Sequence, residues 1–586
     1  MQTVSSAYKA CMKSPLRNRG YISVNFGIFN DTLRSQAEFS HPADTYIWFS
    51  NDSRVFDDGN SDFEYATLEN NFMRVDGSQH FLPMQEHASR GLGNGGVVSQ
   101  EIVDDGNVVF TINFPQTTWY GLTIDFGDNY PTDFDLIFGG TTVQVRNHDN
   151  RIYVADRAFT NVSQIKIKFW AMQNSGLRAR LQKIKFGIGY NFSNEDVMDS
   201  SLAKVISPIS EFIPQYDFWV QLKNYDRYFD VDNPNSAINF LSANNRVTVQ
   251  YGLELDDGTI EWVKGQKLIC NEWESDNKTA IIRCVDILRR LDMEFPGTTF
   301  YGDGTSYGEM AEILLYDVAG LDDDDFIIPD EMYDMVTTLP IPRGTCKELL
   351  QMIANACRMV LMVDRDGRIV FKDYSTLPTP TFRMEKMDML SYPKAMKTEP
   401  VKEIVVSYQR WRQLIVSDQT VVNEDVTVAS GDYKTFYFSE PFWGYSATVD
   451  GSNYSIANFG DYFVTLYFGT AGTKSVEIHA KPYSISHQQY HYEVSGVSEG
   501  RTVNWNNPLI DRGNHAILLA WWLSRYYNSD IEYAYDSRGN PEIDPCDVLY
   551  QDNDYDPSMK VMVTESTLNF KQSFRGQMTT RKIGGS

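Results

Sequence analysis

The sequence lacks the cysteine patterns that mark disulfide-stapled and zinc-held folds. Its six cysteines are spread along the chain, and none belongs to a C-x-x-C pair. This spacing disfavours disulfide scaffolds and zinc ribbons. Cys346 and Cys357 lie on or beside an apolar helical stripe, so buried free thiols are their simplest interpretation.

Long apolar runs are missing as well. The longest, Ala516 to Leu523, is far shorter than the roughly 20 residues that a membrane-spanning helix needs. The segment from Met1 to Gly20 is polar and basic and contains no apolar signal-peptide core. We therefore expect a soluble protein that is made in the cytoplasm and that reaches the outside only by lysis or inside a particle.

Positive charge is scarce. The chain has 52 Lys and Arg against 78 Asp and Glu, a net charge of -26 over 586 residues. Such a surface repels nucleic acid, because DNA binding requires Lys and Arg to replace counterions. Solubility at high local concentration is the simplest interpretation. A sharper hypothesis is an acidic lumen through which DNA slides without specific binding.

Catalytic motifs are also absent. The sequence contains no G-x-S-x-G elbow, no H-E-x-x-H and no Walker-type phosphate loop. With 78 carboxylates a glycosidase pair is conceivable, yet their proximity in the fold cannot be read from the sequence. We predict that the chain is not an enzyme, and we assign it no catalytic, cofactor-binding or metal residues and no cofactor.

Three histidines form the best metal candidate. His487 and His491 share one face of either a helix or a strand, and His479 would be the third ligand. Exposed histidines on a strand over Tyr483 to Val494 are the simpler interpretation, because zinc sites need a closed ligand set. We predict no metal here.

Two acidic runs and four aromatic residues are weaker binding candidates. The run at 57–62 and the run Asp322 to Asp325 lack EF-hand spacing, and solvated turns explain both, although the first could be a calcium loop of a sandwich. Flat aromatic rings bind sugars by stacking. The candidates for that role, of which the second and third also lead into a core strand, are Trp48, Trp119, Tyr120 and Tyr130.

What the sequence does contain is a strand-rich pattern. Aromatics reach 13%, and bulky rings favour strands. The alternation Val108, Phe110, Ile112 and Phe114, with turn clusters nearby, predicts a β-sandwich. Hairpins are predicted at Asp256-Asp257-Gly258 and at Asp364 to Gly367, and two short closing strands at Val561 to Thr564 and Thr567 to Phe570.

Helices are predicted by capping signatures. Ser306 with Glu309 and Thr345 with Glu348 form capping-box patterns ahead of apolar stripes. Asp511 is a candidate cap for a helix through Trp522. These helices and the Asp364 to Gly367 hairpin predict a small α/β unit within a chain too long for one core.

Several segments of the sequence resemble segments of phage tail proteins. One set is similar to a β-sandwich module of galactose-binding, carbohydrate-binding type: Tyr65 to Asn71 with Val75 to Ser78, Gly121 to Phe126 with Tyr130-Pro131, and Arg178 to Ile184 with Phe186-Gly187. A second set resembles the tail-tip or baseplate hub family of long-tailed phages: Gln250 to Gly252, Trp273, Asp286, Thr345 to Ala356, Asp366-Gly367, Asn507 to Ile510, the helix through Trp521, Arg538 to Asp544, and Leu568 to Gly576 with Arg581.

The resemblance implies a mainly β, α+β fold with two tube-like β-barrels, a small α/β domain between them and inserted β-sandwich domains. We expect a homotrimer. The expected domains are a first hub barrel (1–30 with 191–300), a carbohydrate-binding-module-like sandwich (31–190), a small α/β domain (301–390), a second hub barrel (391–424 with 501–586) and a small β insert (425–500).

The resemblance also implies a function. We expect a structural virion protein of the tail tip, a baseplate hub that joins the tail tube to the tip and lines or closes the DNA channel. Expected partners are tail tube and distal tail proteins, the tape measure protein and, at the two inserts, a host-surface glycan. The alternatives are a carbohydrate-binding adhesin that recognises cell-wall polysaccharide and a glycan-cleaving tail enzyme.

Overall fold

The computed structural model describes most of the chain. The described residues are 1–40, 46–47, 50, 53–56, 64–65, 69, 79–80, 96–225, 227, 229–230, 232–233, 236, 245–374, 379–380, 382–451, 453–556 and 558–583. Strands dominate them, which confirms the predicted mainly β class. Within these residues, no helix has the length and apolar character needed to cross a membrane.

Among the described residues of the first third of the chain, strands are the main elements, with three short helices. Its elements are α1 (Ser6–Lys13), β1 (Gly20–Phe29), α2 (Asp31–Gln36), β2 (Glu38–Phe39), α3 (Ser53–Phe56), β3 (Glu64–Tyr65), β4 (Gln79–His80), β5 (Val97–Ile102), β6 (Val108–Asp125), β7 (Pro131–Phe138), β8 (Thr141–Val145), β9 (Ile152–Met172), β10 (Arg178–Leu181), β11 (Lys183–Lys185) and β12 (Gly187–Phe192).

The middle of the chain mixes strands with short helices. Its elements are β13 (Val197–Val205), β14 (Gln215–Lys223), β15 (Arg246–Glu254), β16 (Ile260–Ser275), β17 (Thr279–Val285), β18 (Glu294–Phe295), β19 (Thr305–Ser306), α4 (Tyr307–Glu312), β20 (Phe326–Ile327), α5 (Glu331–Asp334), β21 (Val336–Thr337), β22 (Gly344–Thr345), α6 (Cys346–Ala356), β23 (Met359–Val363), β24 (Ile369–Asp373), β25 (Arg383–Met384) and β26 (Lys394–Lys397).

The last third contains the longest strand and the longest helix. Its elements are β27 (Val401–Gln413), β28 (Gln419–Val428), β29 (Asp432–Tyr437), β30 (Phe442–Val449), β31 (Tyr454–Gly460), β32 (Phe463–Phe468), β33 (Gly472–Glu493), β34 (Arg501–Asn506), α7 (Gly513–Tyr527), β35 (Ile531–Ser537), β36 (Val548–Gln551), β37 (Lys560–Phe570) and β38 (Phe574–Ile583).

One sheet of 13 strands unites the two ends of the chain. Its order is β12-β1-β15-β16-β17-β14-β13-β37-β38-β35-β26, with β36 and β25 attached beside β37. The strands assigned to two separate barrels thus share one hydrogen-bonded sheet. The link is the antiparallel pair β13–β37, which runs from Ser200 opposite Phe570 to Val205 opposite Glu565.

The predicted sandwich region forms its own core. A six-stranded antiparallel sheet of β2, β6, β7, β8, β9 and β11 packs with the β5–β10 pair. The predicted alternation is confirmed, because Val108, Phe110, Ile112 and Phe114 are all buried.

The small β insert is a second, smaller sandwich. The sheet of β28, β30 and the first half of β33 faces the sheet β29-β32-β31 across an apolar core. The second half of β33 leaves this insert and pairs with β27, which also pairs with β34. This long strand therefore connects the insert to the body of the protein.

The helix predictions are mostly confirmed. Both capping boxes are present, at Ser306 and at Thr345. The Asp511 cap is wrong. The helix begins after Arg512, and the Asp511 carboxylate instead accepts a hydrogen bond from the Thr338 amide at 3.1 Å and pairs with Arg512 at 2.8 Å.

The hairpins at Asp256 to Gly258 and Asp364 to Gly367 are confirmed by the antiparallel pairs β15–β16 and β23–β24. The prediction of two short closing strands is wrong, because β37 runs unbroken from Lys560 to Phe570 with one register shift near Thr564. It stays extended because β38 pairs along its whole length, while β36 and β13 share its other side.

Candidate functional site

The histidine candidates lie apart along one strand. His491 Nδ1 lies 2.8 Å from Glu403 Oε1, and His479 Nε2 lies 3.4 Å from Glu477 Oε1. Both are on β33, which runs from Gly472 to Glu493. It confirms the strand predicted from Tyr483, and His479 lies before that predicted segment. Across the described residues, the structure groups no three His, Cys, Asp or Glu side chains as metal ligands.

The three sugar-stacking candidates within the described residues, Trp119, Tyr120 and Tyr130, do not form an exposed platform. Trp119 is buried, stacks on Phe159 at 4.7 Å, and donates from its indole to the Gly121 carbonyl. Tyr120 is also buried, and Tyr130 is half-buried against His148. For Trp119 and Tyr120 the packing interpretation is therefore the correct one. Trp48 lies outside the described residues.

The acidic runs have different outcomes. The run at 57–62 lies outside the described residues. In the second run, Asp323 to Asp325 form a 3-10 turn directly before β20. Asp325 is buried and pairs with Arg246 at 2.9 Å. The second run is thus a turn before a strand, as predicted, and one of its carboxylates is held by a tertiary ion pair.

The structure brings together a set of buried and half-buried charges that the sequence patterns did not single out. We call it the charged junction, and it consists of Lys204, Arg365, Asp544, Asp547 and the Met1 amine. Asp544 Oδ1 lies 2.8 Å from Lys204 Nζ, and Asp544 Oδ2 lies 2.6 Å from Arg365 Nε. The Met1 amine pairs with Asp547.

The members of the charged junction come from four parts of the fold, and Asp544 and Asp547 share one of them. Lys204 is on β13, Arg365 is in the β23–β24 hairpin, and Asp544 is in the connection between β35 and β36. The guanidinium of Arg365 also donates to the Lys264 carbonyl on β16. Two segments that carry the hub resemblance, the hairpin near Asp366 and the stretch from Arg538 to Asp544, therefore meet here.

Burial sets the electrostatics of the charged junction. The side chains of Lys204 and Arg365 are only 6% and 9% exposed. Burial raises the pKa of a carboxyl group, but Arg365 and Lys204 together hold the pKa of Asp544 below its ordinary value. Burial lowers the pKa of Lys204. The three charges therefore depend on one another, and loss of one leaves the others uncompensated.

The far end of the large sheet is open. Strand β26 pairs only with β35 among the described residues, and all four of its residues are exposed. The Thr398 amide donates to the Asp530 carbonyl, which lies on the β35 side. Because successive N–H groups of a strand point to alternate sides, the N–H groups of Ala395 and Lys397 point away from β35. We call this strand the open edge.

A groove of about 490 Å³ lies beside the open edge. Tyr392 and Tyr555 stand on its rim and are 77% and 95% exposed, and Leu390 is 55% exposed. Tyr392 donates to Asp554 at 3.2 Å. Exposed aromatic and aliphatic side chains beside an unpaired strand are typical of a surface that another chain covers.

No protein-family model matches the sequence, and no curated protein matches it. Solved structures include partial likenesses. A 43 kDa tail protein of prophage MuSo2 from Shewanella oneidensis has 9% identity and a TM-score of 0.36, over 76% of this chain and 98% of that one.

Two further tail proteins are similar to the same extent. A tail protein from Neisseria meningitidis has 9% identity and a TM-score of 0.37, over 77% of this chain and 97% of that one. The prophage tail protein gp18 from Listeria monocytogenes has 10% identity and a TM-score of 0.33, over 67% of this chain and 91% of that one. All three scores lie below 0.5, so they assign no function to this chain.

Proposed function

We propose that this chain is a structural virion protein of a phage tail tip, a homotrimeric hub that joins the tail tube to the tip and lines or closes the DNA channel. The observation that carries the proposal is the single 13-stranded sheet, which holds both chain ends together and leaves one edge open. The sequence segments that resemble the hub family support the same assignment.

A hub must transmit force without unfolding. In this chain, the β13–β37 pair and the charged junction tie the N-terminal strands, the β23–β24 hairpin and the C-terminal strands together. Hydrogen-bonded strands and buried ion pairs resist separation because breaking them exposes unpaired polar groups. The role is therefore mechanical, and the division into two hub barrels, an α/β domain and two inserts belongs to this proposal.

The open edge suits a second copy of the chain. An unpaired strand offers backbone donors and acceptors, and aromatic side chains supply apolar contact area. Lys394 and Lys397 are exposed on this strand, whereas the chain as a whole carries a net charge of -26. Because Lys397 already lies 3.6 Å from Asp530 of its own chain, a further copy would bring carboxylates to Lys394. Closed symmetry would turn this contact into a ring.

The proposed partners follow from this position. The trimer would contact tail tube, distal tail and tape measure proteins. DNA would pass through it without specific binding, because a chain with this excess of carboxylates gives phosphates few cations to bind. A glycan contact at the inserts gains no support from the buried Trp119 and Tyr120.

The test is the mass of the purified full chain, measured by light scattering at several concentrations. We expect a stable particle near three times 67.1 kDa. Electron microscopy of that particle should show a central channel. A monomer at every concentration, or a trimer without a channel, would contradict the hub assignment.

A further inference from the structure

Two of the six free cysteines face each other across adjacent strands. Cys270 on β16 is the direct cross-strand partner of Cys284 on β17. Cys270 is 7% exposed and Cys284 is 1% exposed. The pair lies inside the large sheet, so the backbone holds both side chains on the same face.

Backbone hydrogen bonds show which kind of cross-strand pair this is. The Cys270 amide donates to the Asn245 carbonyl at 2.9 Å, on the β15 side and away from β17. Cys270 and Cys284 therefore form a non-hydrogen-bonded pair, for which the Cα atoms stand about 4.5 Å apart. That separation lies within the range of about 4.4 to 6.8 Å that a disulfide spans.

Local backbone geometry leaves room for the bond to close. The register shifts between Cys270 and Glu272, which makes Asn271 a bulge residue directly after the first cysteine. A bulge bends its strand and increases the local twist. The strand can therefore adjust at this point without disturbing the ladder on the other side of Cys270.

We propose that Cys270 and Cys284 are a disulfide site, which is reduced where thiols are maintained and closes when the protein meets a peroxide. The proposal does not depend on the tail-tip assignment. The alternative is a pair of inert apolar side chains, which is the commonest role of buried cysteines.

The reaction balances with peroxide as the oxidant. The Cys270 thiolate attacks one oxygen of hydrogen peroxide, and the O–O bond breaks to give a sulfenic acid and hydroxide. The Cys284 thiol then attacks the sulfenic sulfur, the S–O bond breaks, and the leaving oxygen departs as water. Hydroxide takes up the remaining proton, so two thiols lose two electrons and peroxide becomes two waters.

Cys270 is the better first nucleophile. It is the more exposed of the two, and the hydrogen bond from Cys284 lowers the pKa of its thiol, whereas burial raises the pKa of Cys284. Thiolate is the reactive form. Cys284 is therefore expected to resolve the sulfenic acid and not to be oxidised first.

The disulfide would reinforce β16, a strand that also contacts the charged junction. Strand β16 also supplies the Lys264 and Gly265 carbonyls that accept from Arg365 and Lys204. A covalent bond between β16 and β17 would limit how far these strands separate. We expect the melting temperature of the protein to be higher after oxidation than before it.

The experiment exposes the full-length protein to hydrogen peroxide, unfolds it, alkylates the remaining thiols and measures the intact mass. We expect alkylated thiols to fall from six to four, the chain to lose about 2 Da before alkylation, and peptide mapping to find Cys270 linked to Cys284. Six free thiols after exposure, or a bond between other cysteines, would overturn the proposal.

Variants separate the pair from a general sensitivity to peroxide. Cys270→Ser is expected to form no internal disulfide, whereas the matched variant Cys11→Ser should still lose two thiols. If Cys270→Ser fails to fold, the peptide map of the unmodified chain decides the question alone. A Cys270→Ser protein that still loses two thiols would also overturn the assignment.

Discussion

The two edge strands of the large sheet, β12 and β26, differ in what lies beside them. At one end, β12 is covered by the sandwich, where Thr123 donates to the Gly187 carbonyl at 2.9 Å and Gly121 packs directly against Ile188. At the other end, β26 is open beside a groove rimmed by exposed tyrosines. Among the described residues, the first edge is covered by another part of the chain, and the second edge has no strand beside it.

Under the proposed assembly, this difference separates contacts that stabilise the monomer from contacts that are available to a second copy. Closed contacts are buried and hydrogen-bonded, so changes in them should lower the free energy of unfolding. The open edge contributes little to the monomer, and changes there should alter association alone. The four predictions below run from the largest expected effect to the smallest.

Loss of Asp544 should have the largest effect on the closed contacts. Asp544→Asn leaves Lys204 and Arg365 buried without their shared counter-charge, which costs about 3 to 5 kcal/mol of unfolding free energy. Denaturant unfolding measures this loss. The matched control is Asp366→Asn, which removes an exposed pair with Lys264 and should cost less than about 1 kcal/mol. Equal losses would show that the junction does not stabilise the fold.

The covered edge can be tested at Gly121. Its φ is +79°, and a Cβ there would lie 2.9 Å from the Ile188 backbone nitrogen. Gly121→Ala should destabilise the protein by about 3 kcal/mol, from backbone strain and from the clash together. Gly140 has the same φ but nothing within 4 Å, so Gly140→Ala should cost only about 1 kcal/mol. If thermal unfolding shifts equally in both, the covered edge is not closely packed.

A third contact buried within the chain, around Asp461, predicts that the free energy of unfolding depends on pH. Asp461 is buried, accepts from Tyr483 at 2.9 Å, and donates its amide to the Thr298 carbonyl. Burial raises the pKa of this carboxyl from 3.8 to about 7. The folded state therefore holds a proton that the unfolded state releases, so stability falls as pH rises between about 4 and 7.

Unfolding at pH 5 and pH 8 measures the effect. We expect the protein to be about 2 kcal/mol less stable at pH 8 through this group. Asp461→Asn cannot titrate and should remove that part of the slope. An unchanged slope in the variant would mean that Asp461 is not the responsible group.

Substitutions beside the open edge should weaken self-association and leave the free energy of unfolding unchanged. Replacing Tyr392 and Tyr555 by Ala removes exposed aromatic area beside β26, and we expect self-association to weaken about tenfold. Sedimentation over a range of concentrations measures this change. Tyr433→Ala removes a tyrosine that is also exposed, at 67%, but lies on the small insert, and it should leave association unchanged. A loss of stability without weaker association would show that the groove belongs to the monomer.

Local rules of the sequence were enough to predict local structure. The capping boxes at Ser306 and Thr345, the hairpin turns at Gly258 and Gly367, and the buried alternation from Val108 to Phe114 depend on residues a few positions apart. Such short-range geometry is set by backbone preferences and by the period of apolar side chains. The mainly β class follows from the same signals.

Only the tertiary structure decided which distant residues meet. Lys204 and Asp544 are 340 positions apart, and nothing in either local pattern favours their pairing. The same holds for the pairing of β13 with β37, for the burial of Trp119 against Phe159, and for which edge strand of the sheet stays open. These outcomes depend on the closure of long loops and on packing summed over the whole core, which no short window of sequence contains.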